Sequence, residues 1–88
     1  MGDSILGSVK ALLGLIDDDA FDTEITVFIN TALFTLYQLG IGPSSPYRIE
    51  GPTETWSSFL SDTDDLSMIK SYVYLRVRML FDPPFLKL

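Results

Sequence analysis

Eighty-eight residues with a net charge of −6, no cysteine and no histidine exclude a disulfide scaffold, thiol chemistry and imidazole-based catalysis or metal binding. A hydrophobic fraction of 47% excludes an acidic disordered tail, and the acidic balance argues against a broad phosphate-binding surface. What remains is one small domain, which buries only about 60% of the surface its unfolded chain exposes, so self-association or a partner is expected.

The first ten residues, MGDSILGSVK, lack the charged leader and cleavage site of a secretory signal. Leu6 stands where an N-acylation pattern requires Ser or Thr, so the start reads as an ordinary one. Residues 4–13 place Ile5, Leu6, Val9, Leu12 and Leu13 at helical spacing. Asp3 or Ser4 can cap this first helix, and Gly14 suits its end. An acidic connector, DDDAFD, follows.

The second helix is predicted from about Thr23 to Leu39, with Asp22 as N-cap, Glu24 in the first turn and Gly40 as the stop. At 100° per residue, Ile25, Phe28, Ile29, Ala32, Leu33, Leu36 and Leu39 share one face, the expected core face. The opposite face carries Thr23, Thr26, Asn30, Thr31, Thr35 and Gln38, with Val27, Phe34 and Ile41 spaced seven apart among them. No charge occurs from Ile25 to Tyr47. The polar residues on one side and the Gly42-Pro43 break argue against a membrane span. Interface cores are depleted in charge, and an uncharged helix face with large apolar residues fits one.

Residues 40–52, GIGPSSPYRIEGP, form the one long loop. TETWSSFL, 53–60, reads as one or two helical turns capped by Thr53, with Trp56, Phe59 and Leu60 on a buried side. In the last element, YVYLRVR alternates like a strand. A helix from about Asp64 to Phe81 is preferred, capped by Asp62, Thr63 or Asp64 and stopped before Pro83. The uninterrupted run is longer than a usual strand, and no second strand is available to pair with it. Leu66, Ile69, Val73, Val77 and Leu80 then form one stripe, and Met68, Tyr72, Leu75 and Met79 a second. Arg76 and Arg78 lie about 200° apart on such a helix and serve two environments. The expectation is an all-α fold, a small bundle of three to four helices in a single domain spanning 1–88.

Catalysis would need a nucleophile beside a base, or a paired acid and base. Asp17, Asp18, Asp19 and Asp22 are the only acidic cluster, and their spacing fails the calcium-loop pattern, which wants Gly at the sixth position where Asp22 stands. GIG and GPSSP lack the Walker lysine and the Rossmann context. No enzyme activity, metal or cofactor is expected. The candidate functional residues are instead a subunit interface: Val27, Asn30, Thr31, Phe34, Gln38 and Ile41 on the second helix, and Tyr72, Tyr74, Arg76 and Arg78 on the last, Tyr and Arg being enriched at binding surfaces.

Three stretches, FINTALFTLYQLGIGP (28–43), TETWSSFL (53–60) and MIKSYVYLRVRMLFDPP (68–84), together resemble the small head–tail connector, or adaptor, proteins of tailed bacteriophages in order, spacing and wording. The resemblance implies a helical bundle that assembles into a ring, commonly dodecameric, beneath the portal vertex of the virion neck. It implies a homo-oligomer that contacts the portal protein and downstream neck or tail proteins, is put together in the host cytoplasm, and extends a channel through which DNA passes without sequence-specific binding. Relatives usually continue beyond the Pro-Pro with a further charged helix, where this sequence has FLKL. A closed ring needs two unlike faces on each subunit. The second helix's Thr/Phe face and the last helix's Tyr/Arg face are the candidates, with one arginine pairing across the boundary to Glu24 or Asp22 and the other pairing within the domain or facing the channel. The rival reading is a small acidic helical binding module, an inhibitor or DNA mimic. A mimic needs carboxylates arrayed along one exposed face, whereas the acids here gather at helix starts and connectors.

Overall fold

A computed structural model describes residues 4–60 and 66–81. They form four helices: α1 (Ile5–Leu13), α2 (Asp22–Gln38), α3 (Trp56–Phe59) and α4 (Leu66–Phe81). Among the described residues there is no strand, only an isolated bridge between Ser4 and Thr55. The all-α reading therefore holds, and YVYLRVR lies inside α4. Val73 and Val77 sit one turn apart with Ile69 on the same buried side, so the helical period decides over local β propensity.

Each helix end has a local cause. Ser4 caps α1 by accepting from the Gly7 N–H at 3.0 Å. α1 and α2 finish alike: Gly14 and Gly40 take left-handed φ of 78° and 84°. The residue after each glycine donates back to the helix, Leu15 N–H to the Lys10 carbonyl at 2.8 Å and Ile41 N–H to the Leu36 carbonyl at 2.9 Å. Asp22 is not the N-cap of α2. Phe21 occupies that position without a side-chain cap, because the Asp22 carboxylate is spent on Lys10 at 2.8 Å. Thr53 likewise does not cap α3. Thr55 does, in a reciprocal box with Ser58. The expected caps of α4 at Asp62, Thr63 and Asp64 lie outside the described residues.

The core is one cluster built from α1 (Ile5, Leu6, Val9), α2 (Ile25, Ile29, Ala32, Leu33, Leu36), Ile49 of the loop, Trp56 and Phe59 of α3, and Ile69, Val73 and Val77 of α4. α2 and α4 form the main helix pair. Phe21 meets Phe81 edge-on at 5.3 Å, which brings the start of α2 to the end of α4, so the two run antiparallel. Leu39, expected on the core face, is exposed, because α2 has already ended and the chain turns at Gly40. Leu12 is exposed as well.

The α1–α3 junction is tied by Trp56, whose Nε1 donates to Ser8 Oγ at 2.8 Å, and by the Ile5 N–H, which donates to the Glu54 carbonyl at 3.0 Å. Lys70 Nζ lies 5.9 Å from the centre of the Trp56 ring, within cation–π range. Gly42 is required by space. At φ 96° an added Cβ would stand 2.7 Å from the Phe59 ring.

Lys10 is buried at the C-terminal half of α1, its side chain 7% exposed, with Nζ 2.8 Å from both Asp19 and Asp22. The hydrogen bond to Asp19, then that to Asp22, raises its pKa above the ordinary 10.5 against the opposing effect of burial. Stability from this group is fully present below about pH 10.5 and is lost as pH rises through the raised folded value. In alkaline titrations followed by thermal melts, the chain is expected to lose stability above that point. Lys10→Met is expected to remove this component of the loss while melting lower than the parent at neutral pH.

Candidate assembly interface

The outer side of α2 is set by periodicity. Residues about 150° from the buried Ile29 face water, and these are Val27 and Phe34, 54% and 48% exposed. Thr31 and Gln38 are exposed beside them. The hydroxyls of Thr31 and Thr35 turn back onto the Val27 and Thr31 carbonyls at 3.1 and 3.2 Å. Their hydrogen bonding is thereby met within the helix, and their methyl groups are left to the surface.

The long loop supplies the other wall. Ile49 drops into the core, and the Asn30 amide clamps the backbone on either side of it. Asn30 Nδ2 donates to the Ile49 carbonyl at 3.0 Å, and the Ile49 N–H donates to Asn30 Oδ1 at 2.7 Å. Glu54 accepts from the Glu50 and Gly51 N–H groups at 3.0 and 3.4 Å, and Tyr47 shares a 2.7 Å hydrogen bond with Ser58. Asn30→Ala is expected to leave both Ile49 backbone groups unpaired, at a cost of about 1–3 kcal/mol each where they stay buried. Hydrogen exchange at the Ile49 amide should accelerate more than ten-fold, while amides in the middle of α4 change far less.

Between these walls run two adjoining recesses that share Val27, Asn30 and Arg48. One, of about 500 Å³, reaches Asp22, Ile49 and Glu50, and the other, of about 400 Å³, reaches Phe34 and Thr35. Arg48 is exposed on the shared boundary. It was not among the residues expected from sequence, although one signal was there: it is the only cation between Lys10 and Lys70.

The remaining candidates separate. Ile41 and Tyr72 are half-buried against the core. Tyr74 and Arg76 are half-buried, and Arg78 is exposed. The Arg76 Nε is buried without a hydrogen-bond partner among the described residues. Asp22 is already engaged by Lys10 of its own chain, which leaves Glu24, exposed on α2, as the freer of the two carboxylates considered for an arginine. Arg48, Arg76 and Arg78 make no ion pair among the described residues, despite twelve carboxylates in the chain. On α4 a further apolar strip, Met68, Leu75 and Met79, is more than half exposed.

Among the described residues no group of three carboxylates is placed to hold a metal ion, and none of the described helices is long and apolar enough to cross a membrane. The chain matches the family described as Phage connector protein over residues 5–87. It belongs to that family. No curated protein and no solved structure matches it.

Proposed function

We propose that this connector protein is a non-enzymatic structural part of the virion neck, forming a closed homo-oligomeric ring below the portal and extending the DNA channel toward the tail. The observation that carries this reading is the pair of unlike exposed faces on one small domain. The α2 face is a helix side without charge from Ile25 onward, with a groove beside it, and the α4 face is an apolar strip on a helix that carries three cations and no acid. Both lie on the far sides of their helices from the shared core, so one subunit can contact different neighbours with each. Unlike patches close into rings when the rotation allows it. The α2 face, with Val27, Thr31, Phe34 and Gln38, is the subunit contact. The α4 face, with Met68, Leu75, Met79 and the exposed Arg78, is the second binding surface, available to a neighbouring copy or to portal and tail proteins. DNA passes through the ring without sequence-specific contacts. Assembly takes place in the host cytoplasm.

Sedimentation velocity and electron microscopy of the purified chain over a concentration series test the proposal. Ring-shaped particles of one size are expected. A monomer at every concentration, both alone and mixed with a portal assembly, would overturn it.

A further inference from the structure

The α2 groove has an unusual charge. No Lys or Arg occurs from residue 11 to 47, yet the groove beside α2 is topped by Arg48, which has no ion-pair partner among the described residues. Glu50 lines only the first recess. In the second, where Phe34 lies, Arg48 is the sole charged residue. An occupant of that recess should therefore combine aliphatic side chains with free carboxylates. The α4 strip lacks the second property, because residues 66–81 carry Lys70, Arg76 and Arg78 and no acid.

One described segment has both. At the end of α1, Leu12 and Ile16 are 58% and 55% exposed and flank their own shallow recess. Asp17 and Asp18 follow directly and are exposed. Asp19 is held by Lys10, which fixes the base of the connector and leaves the two preceding carboxylates projecting. Neither Asp17 nor Asp18 is in an ion pair. This segment and the groove share no lining residue, so one subunit can offer both at once to different neighbours in a head-to-tail arrangement.

We propose that the groove beside Arg48 receives the α1–α2 connector of a second copy, with Leu12 and Ile16 seated against Val27 and Phe34 and with Asp17 and Asp18 paired to Arg48. The inference rests on the ring reading, whose subunit contact it specifies. It also frees the α4 surface for a different partner. Apolar contact supplies most of the attraction, and the charges set register and exclude the wrong face.

A head-to-tail pairing has a diagnostic mixing behaviour. Two full-length chains are compared, one with Arg48→Asp and one with Asp17→Arg plus Asp18→Asn. The asparagine keeps the oxygen that accepts from the Ala20 N–H at 2.9 Å. Circular dichroism should show both chains folded. Each alone should need at least ten-fold more protein than the parent to assemble. Mixed in equal amounts, they should assemble near the parental concentration, because in an alternating ring every groove then faces a complementary connector. If either chain assembles alone like the parent, or if the mixture fails while both remain folded, the pairing is wrong and the ring reading stands. If the unsubstituted chain never assembles, either alone or mixed with a portal assembly, the ring reading fails and the pairing goes with it.

Discussion

Replacing Phe34 by Asp is expected to turn the assembled protein into monomers without unfolding it. Phe34 is nearly half exposed on α2 and makes a tilted ring contact with Tyr37 of its own helix at 5.8 Å. A carboxylate there is solvated in the free subunit and desolvated only when a neighbour covers it. It would also compete for Arg48, which lines the same recess. A central contact residue of this kind is worth at least 2 and up to about 4 kcal/mol, which at 1.4 kcal/mol per decade raises the assembly concentration roughly 30-fold to 1,000-fold. Light scattering reads the loss, and circular dichroism reads the retained helix. Leu33→Asp is the contrast. Leu33, the residue before Phe34, is fully buried on the core side of the same turn, and its replacement should abolish the fold outright. If the Phe34 variant unfolds like the Leu33 variant, the outer face has been misassigned.

Trp56→Ala should have the largest effect on the subunit itself. Trp56 is 1% exposed and joins α3 to α1 through its ring and its bond to Ser8. Truncating a buried tryptophan costs about 3–5 kcal/mol. At roughly 0.05–0.15 kcal/mol per residue, a domain of this length has only about 4–13 kcal/mol of stability in total. The variant is therefore expected at or near the edge of folding at 37 °C, with a sharply lower urea midpoint. Trp56→Phe keeps most of the packing and gives up the indole N–H, at about 1 kcal/mol. A Trp56→Ala chain that melts like the parent would contradict the core described above.

The sequence showed the helices and their faces clearly where a single periodicity governs, as in Ile25, Ile29, Leu33 and Leu36 of α2, and where a helix end is set by local chemistry, as at Ser4 and Gly14. It was misleading where a side chain with a good local role is recruited at longer range. Asp22 and Thr53 both suit a cap. Asp22 instead answers the buried Lys10 twelve residues earlier in the preceding helix, and Thr55 outcompetes Thr53 because Ser58 can complete a reciprocal box with it. Asn30 reads as a polar surface residue by its position on the wheel, but its amide holds the loop backbone nineteen residues later. Arg48 escaped notice because loop residues have no period to place them. Only the folding of the loop over α2 brings it beside Val27 and Phe34.

The Asn30 clamp has a consequence for the speed of assembly. A loop of about a dozen residues that had to become ordered as two subunits met would charge each encounter with lost conformational freedom. Here the rim of the groove is already fastened at Ile49, Tyr47 and Glu54 before any neighbour arrives. In the proposed ring, subunits would meet as rigid bodies, with association governed by diffusion, orientation and charge steering rather than by a folding step. Under such conditions a ring should close with rates that fall as salt is added and depend only weakly on uncharged loop substitutions that leave Asn30 and Arg48 intact.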